Sequence, residues 1–292
     1  MKVAVFGKLI TPDSRPFIEK LHRDLLSFDA EIIVYKRLNR FIQDHCDLGL
    51  DFEEFSNYRE LHAAKPDFLI TIGGDGTILD AVTLIRDSGI PILGINIGRL
   101  GFLSNVSREK ITDAIAALHE ENYSIDERFV LAMESADLNL EIPFALNEVT
   151  VSRKDTTAMV TVHTWINNEY LNSYWADGLI ISTPTGSTGY SLSCGGPIIM
   201  PGSESFVITP IAPHNLNVRP FVIPNKYSIR LKVEGREKQF LVSLDSRIYS
   251  LDSGSELTVN LGSFRIRMIK TEIQNFAETL RNKLLWGLDR RN

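Results

Sequence analysis

Asp67-Phe68-Leu69-Ile70-Thr71-Ile72-Gly73-Gly74-Asp75-Gly76-Thr77-Ile78-Leu79-Asp80-Ala81-Val82 reads as a buried strand, a glycine turn and the start of a helix. Its first six residues form a short apolar, β-branched run of the kind that fills a parallel sheet. From Ile78 the apolar residues recur at helical spacing through Leu84 and Ile85. Glycines at 73, 74 and 76 permit unusual backbone angles and let a ligand approach the main chain without Cβ clashes. The N–H groups and dipole of the helix start favour an anion, so Gly73, Gly74, Gly76 and Thr77 are read as a phosphate-binding loop. A pure phosphate cradle gains nothing from a carboxylate. Asp75 therefore needs a chemical reason.

Outward from this turn, strands and helices alternate. Val3 to Phe6 and Glu31 to Tyr35 are strand candidates, with helical spacing between them from Arg15 to Ser27. The stretch 37–61 carries only weak signals for helix and loop. Pro91 to Asn96 reads as another buried strand, and Ser107 to Glu121 as a helix capped by Ser107. Such alternation implies a parallel sheet covered by helices. After Ile125 the pattern changes to short strands and turns. Strands are expected at Phe129 to Met133, Leu138 to Leu140, Phe144 to Ser152, Ala158 to Ile166, Glu169 to Trp175 and Leu179 to Ser182. More are expected at Ser205 to Ile211, Tyr227 to Val233, Gln239 to Leu244, Ser255 to Leu261 and Phe264 to Ile269. That is the pattern of an all-β sandwich or related multi-sheet domain. Phe276 to Leu288 ends the chain as an amphipathic helix, with Phe276, Leu280, Leu284 and Leu288 on one face. The expected organisation is an α/β N-terminal domain with a parallel sheet over residues 1–125, carrying the glycine turn. An all-β C-terminal domain follows over 126–270, and a C-terminal helix within 271–292 docks back on the first domain.

Composition narrows the function classes. At 292 residues the chain is long enough for about two domains. A net charge of −6 argues against a nucleic-acid binder that relies on a basic surface, though a local pocket can still be positive. No apolar run approaches the roughly 18 residues a membrane span needs, so no membrane partner is expected. Met1 to Gly7 reads as a first strand and not a signal peptide. Cys46 and Cys194 form no metal-spaced pair and are too few for a disulfide scaffold, which points to a reducing cytoplasm. The lysine-bearing phosphate loop G-x-x-x-x-G-K-[ST] and the dinucleotide signature G-x-G-x-x-G are both missing. No HExxH or cysteine cluster supplies a protein metal site.

Two further segments carry chemistry. Asp177-Gly178-Leu179-Ile180-Ile181-Ser182-Thr183-Pro184-Thr185-Gly186-Ser187-Thr188-Gly189-Tyr190-Ser191-Leu192-Ser193-Cys194-Gly195-Gly196-Pro197 leads an apolar strand into hydroxyls and glycines. Hydroxyls and bare N–H groups can bind phosphates and sugars without adding charge, and Tyr190 offers a face for a ring. Leu146-Asn147-Glu148-Val149-Thr150 sets an amide beside a carboxylate in a strand. Adjacent strand side chains point to opposite faces, so one ligand can touch both only at a strand end or edge.

Gly73-Gly74-Asp75-Gly76-Thr77, Asn147-Glu148 and Asp177 through Pro197, in this order, resemble the NAD kinase family. The likeness extends to Asn96 through Leu103, to Pro213-His214-Asn215-Leu216 with Arg219-Pro220, and to Asp245-Ser246-Arg247. The glycine–aspartate turn alone is shared with lipid and sphingoid kinases. The glycine–hydroxyl segment discriminates much better. The resemblance implies transfer of the ATP γ-phosphoryl group to the 2′-hydroxyl of the adenosine ribose of NAD, giving NADP. Asp75 matches the family's general base and Gly76 a neighbouring NAD contact. A free carboxylate is a weak base for a sugar hydroxyl, but a loose transition state releases that proton late. By matching position, Asn147 and Glu148 bind the adenosine part of NAD. Asp177, Thr188, Gly189, Tyr190, Ser191, Leu192 and Ser193 line the rest of the dinucleotide pocket, and Ala212 and Arg247 also fall at contact positions. A divalent cation, Mg²⁺ or Mn²⁺, comes with ATP, and a homo-oligomer, dimer or tetramer, is implied. The sequence departs from the family's usual residues at Asn105, Trp175 and Arg247.

Blander readings stand beside these. Asp75 could be an ordinary turn residue, Asn147-Glu148 a solvated strand pair, and Asp177 a cap for loop donors. Thr185 and Ser187 read equally well as turn hydroxyls. Cys194 has no basic neighbour in sequence to activate it, and His214 reads as a structural hydrogen-bonder. Two rival functions remain open at this point. One is a lipid or sphingoid-base kinase sharing the turn; the other is a non-catalytic NAD(P) sensor, for which Asp75 would have little use.

Overall fold

The computed structural model describes residues 1–8, 10–46, 48, 52–98, 101–104, 106–155, 158–271 and 276–286. The chain divides into two compact units: Met1–Glu127 with the chain from Ile266 onward, and Arg128–Arg265.

In the first unit β1 (Lys2–Phe6), α1 (Arg15–Leu26), β2 (Glu31–Tyr35), α2 (Lys36–His45), β3 (Glu53–Phe55) and α3 (Tyr58–Ala64) come first. They are followed by β4 (Phe68–Ile72), α4 (Asp75–Ile85), β5 (Ile92–Asn96), β6 (Val106–Ser107) and α5 (Ile111–His119). The strand order is β3-β2-β1-β4-β5, and every pair is parallel. β1 and β4 are both buried along most of their length, as expected for strands covered on both faces. Val3, Val5, Ile70, Ile72, Leu93 and Ile95 share one core with Phe17, Leu21 and Leu25 of α1, Leu38 and Ile42 of α2, and Ile111 and Ile115 of α5. The order in which strands join the sheet reverses between β1 and β4. The sheet runs outward through β2 on one side and through β5 on the other, so the loops after β1 and β4 flank a crevice at the carboxyl ends of the strands.

β7 (Ser124–Glu134) carries the chain into the second unit, where β8 (Phe144–Ala145), β9 (Glu148–Arg153), β10 (Val160–Ile166), β11 (Glu169–Ala176) and β12 (Gly178–Ser182) follow. The short helix α6 (Tyr190–Ser193) precedes β13 (Ser205–Ile211), β14 (Phe221–Pro224), β15 (Ile229–Gly235), β16 (Gln239–Leu244), β17 (Arg247–Asp252) and β18 (Glu256–Lys270). One antiparallel sheet has the order β14-β13-β12-β9-β16-β17, and a second runs β11-β10-β15-β18. Val149, Val151, Leu179, Ile181, Phe206 and Val242 from the first sheet share a core with Val162, Leu231, Val233 and Val259 from the second. That is a sandwich. The final helix α7 (Phe276–Leu284) packs within the first unit. Leu280 is buried, and the Phe276 ring lies 6.3 Å from that of Phe102.

The structure corrects several sequence expectations. Leu138 to Leu140 is not a strand: the two leucines pack on the sandwich core from an irregular connection, interrupted by Asp137 and Asn139. Ser255 to Leu261 and Phe264 to Ile269 are one continuous strand, β18. Gly262 falls in the gap between the two expected strands and is a close-approach position, since a Cβ there would lie 2.4 Å from Val130 Cγ2. Ser107 ends β6 and leads into a 3₁₀ turn, Arg108–Lys110, without bonding the helix start as a cap. The weak region 37–61 contains β3, an edge strand in which only Phe55 of Glu53-Glu54-Phe55 is buried. Charged edge strands lack the alternation that betrays a strand. Leu288 lies outside the described residues, as do Arg99, Leu100 and Asn105.

Candidate active site

In the first unit the site is built around the junction of β4 and α4. Gly73 has φ +150°, and a Cβ there would lie 2.2 Å from Thr77 Oγ1, so only glycine fits. Gly74 precedes α4 in extended conformation, and Asp75 occupies its first turn. A Cβ on Gly74 or Gly76 would meet nothing within 4 Å. Protein packing thus explains the first glycine but leaves the other two facing open space at a helix N-terminus, where an anion is favoured.

Asp75 is held by a loop that follows it in sequence. Its Oδ2 accepts the Phe102 amide at 2.8 Å, and its Oδ1 accepts those of Leu103 and Ser104, each at 3.0 Å. Ser104 Oγ also donates to the Gly73 carbonyl at 2.9 Å, tying the loop to the turn. Gly101 completes the fit, since a Cβ there would fall 1.8 Å from Asp75 Oδ1. A carboxylate offers about four acceptor positions. Three are taken by described residues, and the remaining one, on Oδ2, can receive a hydroxyl proton. This arrangement is stronger than the turn-residue reading requires, because it fixes the acid instead of letting it cap its own helix.

In the second unit Asn147 and Glu148 stand at the start of β9, and the hydroxyl segment folds against them. A Cβ on Gly189 would lie 3.2 Å from Glu148 Oε2 and 3.6 Å from Asn147 Nδ2. Asn147 Oδ1 and Glu148 Oε2 are buried without a hydrogen-bond partner among the described residues. Buried orphans of this kind need an explanation, and a polar ligand supplies one. Burial pushes the Glu148 carboxyl up to about 8, with the Asp245 carboxylate adding to the effect, so Glu148 is protonated at neutral pH. It can then donate as well as accept.

Asp245, quoted in sequence only as part of a motif and given no role there, organises this strand start. Its carboxylate accepts the amides of Leu146 at 2.9 Å, Asn147 at 2.8 Å and Glu148 at 3.2 Å, while its own amide donates to the Glu148 carbonyl at 3.0 Å. Burial pushes the Asp245 carboxyl up, opposed by those three amides and by Arg247. Asp245 does this at φ +52°, a backbone conformation uncommon outside glycine. Its position in Asp245-Ser246-Arg247 was the available signal. Arg247, expected at the ligand, donates to the carbonyls of Ile142 and Phe144, and its Nη2 is 3.7 Å from Asp245 Oδ2.

The remaining expected residues divide by exposure. Tyr190 is 47% exposed, leaving its ring free to stack; burial of its base, the Cys194 thiol and Asp177 together push its hydroxyl up. Asp177 pairs with Arg153 at 2.9 Å. Thr188 Oγ1 donates to the Thr185 carbonyl at 3.2 Å, while Ser193 is exposed and Leu192 half-buried. Ser191 is fully buried and bonds Thr209 Oγ1 at 2.9 Å, so its side chain serves the scaffold. Ser187, bonding the Pro184 carbonyl at 2.7 Å, does likewise. Ala212 is exposed at φ +43° just after β13. Trp175 packs its ring 4.2 Å from that of His214.

In the first unit an acid fixed in a glycine turn at an open helix start is the arrangement of a kinase of small hydroxylated molecules, and the second unit separately carries buried polar groups suited to a ligand. The comparisons with known proteins narrow the class. The ATP-NAD kinase N-terminal domain family matches residues 27–123, and the ATP-NAD kinase C-terminal domain family matches 146–271. NAD kinases of Flavobacterium psychrophilum and Bacteroides fragilis are 50% and 41% identical, each over the full length of both chains. A yeast NADH kinase solved with NADH superposes with a TM-score of 0.86 at 27% identity, covering 97% of this chain and 87% of that one. An NAD kinase from Archaeoglobus fulgidus solved with ATP gives a TM-score of 0.75 at 26% identity, covering 97% of each chain. This chain belongs to the NAD kinase family.

Proposed function

We propose that the protein phosphorylates the 2′-hydroxyl of the adenosine ribose of NAD with ATP, giving NADP and ADP. The observation that carries this reading is the acceptor position on Asp75 that the described residues leave open, on a carboxylate fixed by three amides beside glycines that face open space. The ribose oxygen donates its hydrogen bond to Asp75 and is aimed by it. As the new O–P bond forms, the bond from the γ-phosphorus to the ADP oxygen breaks, and the hydroxyl proton passes to the carboxylate late in the transfer. Amides of the α4 start and the glycine turn hold phosphate oxygens. Asn147, the protonated Glu148, Asp177, Tyr190 and the main chain of Thr188 to Ser193 hold the dinucleotide.

Among the described residues no group of three His, Cys, Asp or Glu side chains converges as a metal cage. An ion held mainly by oxygens, Mg²⁺ or Mn²⁺, would then be carried on the phosphates of ATP and not in a protein cage. When bound, such an ion neutralises charge on the transferred group. We also propose a homo-oligomer in the cytoplasm. Leu216 is 85% exposed, and Ile248 and Met200 are also largely exposed, leaving apolar surface for a second copy to cover. Both cysteines are free thiols, and no helix among the described residues is long and apolar enough to cross a membrane.

The test is incubation with NAD, ATP and Mg²⁺ followed by NADP detection, repeated with NADH as acceptor. Asp75→Asn should lower kcat by about 10²–10⁴-fold while NAD affinity stays within a few-fold of wild type. Full turnover in that variant would remove Asp75 from the mechanism.

A further inference from the structure

A hollow of about 300 Å³ opens in the first unit beside the carboxyl end of β1. It is lined by Lys8, by Arg37, Arg40, Phe41 and Asp44 along one side of α2, and by His45. Arg37 and Arg40 face one lining carboxylate, that of Asp44, and Lys8 is paired outside the lining, in a protein whose net charge is −6. Arg37 and Arg40 are exposed and make no ion pair among the described residues. Lys8 reaches across to Asp80 of α4 at 2.9 Å. Solvated surface arginines are the ordinary alternative. Two features argue against it here: the arginines line a concavity, and the basic start of α2 is the wrong place for cations as far as helix stability goes. Lys36 and Arg37 occupy the first turn of α2, with no acidic residue there, although cations at a helix start oppose its dipole. A bound anion relieves that cost, because it favours both the cations and the helix start.

The hollow also has the right address. β1 pairs directly with β4, Phe6 opposite Thr71, so the loop carrying Gly7 and Lys8 is the immediate neighbour of the Gly73–Asp75 turn. These are the two loops that flank the reversal point of the sheet, where open parallel sheets take their ligands. Asp80, the partner of Lys8, lies five residues along α4 from Asp75, an axial distance of about 7.5 Å. The transferred phosphoryl group belongs at the glycine turn; a chain of further phosphates continuing toward Lys8 runs into the hollow.

We propose that this hollow, through Arg37, Arg40 and Lys8, binds the non-transferred phosphates of the phosphoryl donor. The inference rests on the kinase reading above and assigns the donor's side of it. The ligand chemistry is a linear chain of phosphates, which ATP and inorganic polyphosphate share, so the experiment tests both.

Arg37→Ala/Arg40→Ala would be compared with wild type and with Arg59→Ala/Lys110→Ala, a control that removes two exposed cations elsewhere in the same unit. Each protein is assayed for the KM of ATP, for NADP formation with polyphosphate, for the Kd of inorganic tripolyphosphate by calorimetry, and for the Kd of NAD. Loss of charge-assisted bonds to phosphate should raise the ATP KM and the tripolyphosphate Kd about tenfold or more. NAD affinity and the control should stay within about twofold of wild type, a small fraction of a tenfold step. If polyphosphate supports turnover in wild type and fails in the variant, the hollow serves both donors; if only ATP kinetics change, it serves the nucleotide. An unchanged ATP KM together with unchanged tripolyphosphate binding would overturn the proposal. Should wild type make no NADP yet bind tripolyphosphate through these arginines, the kinase reading fails and the anion site stands.

Discussion

Glu148 holds its proton at neutral pH because burial and the facing Asp245 carboxylate both oppose a second charge there. Its Oε2, without a partner among the described residues, sits next to Gly189, so the proton is available to a ligand acceptor. The sign of the pH dependence follows. The folded value, about 8, stands above the ordinary 4.5, so the stability linked to this proton is complete below 4.5 and is lost as pH rises through about 8. The loss is on the order of a few kcal/mol, given the size of the shift. Glu148→Gln keeps a donor and cannot ionise. Its melting temperature relative to wild type should therefore climb between pH 5 and pH 8.5, read by thermal unfolding at both ends. In kinetics, the wild-type KM for NAD should rise above pH 8 while that of Glu148→Gln stays level. A parallel rise in both proteins would assign the effect to another group. Asp245 acts on the same strand from the other side, through main-chain amides that its carboxylate gathers.

At the scale of elements, β4, its turn and α4 separate two uses of glycine. Gly73→Ala forces a Cβ into Thr77, with Oγ1 at 2.2 Å and Cβ at 2.9 Å, and should destabilise the protein by about 1–3 kcal/mol. Gly76→Ala meets no protein atom and gains helix propensity, so stability should hold or rise by up to about 1 kcal/mol. Its kcat/KM should nonetheless fall, since the new methyl stands where phosphate approaches the main chain. Melting temperature and kcat/KM measured together would discriminate these effects, and a fully active Gly76→Ala would mean that the space above the turn is unused. This junction was legible in sequence because strand, turn and helix lie within one short stretch, each with its own periodicity. The clamp on Asp75 was not, since its donors Phe102, Leu103 and Ser104 follow 27 to 29 residues later as main-chain amides, which no side-chain pattern announces. The contacts of Asp245 were hidden for the same reason, 97 residues from Glu148. Among elements, β3 escaped because two of its three residues are charged and exposed, and β18 was split at a gap that holds a glycine required by Val130.

For the whole molecule, the net charge of −6 and the local cations of the hollow make opposite demands on a polyanionic donor. Global charge repels the donor, and added salt would then help it bind. Local cations attract it, and added salt would weaken binding. Distance decides between them. At 0.1 M ionic strength the screening length is about 10 Å, so most surface carboxylates are already silent at the site, while Lys8, Arg37 and Arg40 act at contact range. The acidic composition that argues against a nucleic-acid partner therefore does not forbid a concentrated phosphate site, because affinity at short range is set by the pocket and not by the sum. The expected outcome is a KM for ATP that rises steadily between 0.05 and 0.5 M potassium chloride (about 14 Å down to 4 Å of screening) in wild type. NAD carries fewer phosphates and meets a pocket of neutral donors, so its KM should change much less over the same range. In Arg37→Ala/Arg40→Ala the salt dependence of the ATP KM should flatten or reverse, because what remains is the weak repulsion of the whole acidic surface. A wild-type ATP KM that falls as salt is added would mean that long-range charge governs the encounter, and the hollow would lose its claim on the donor.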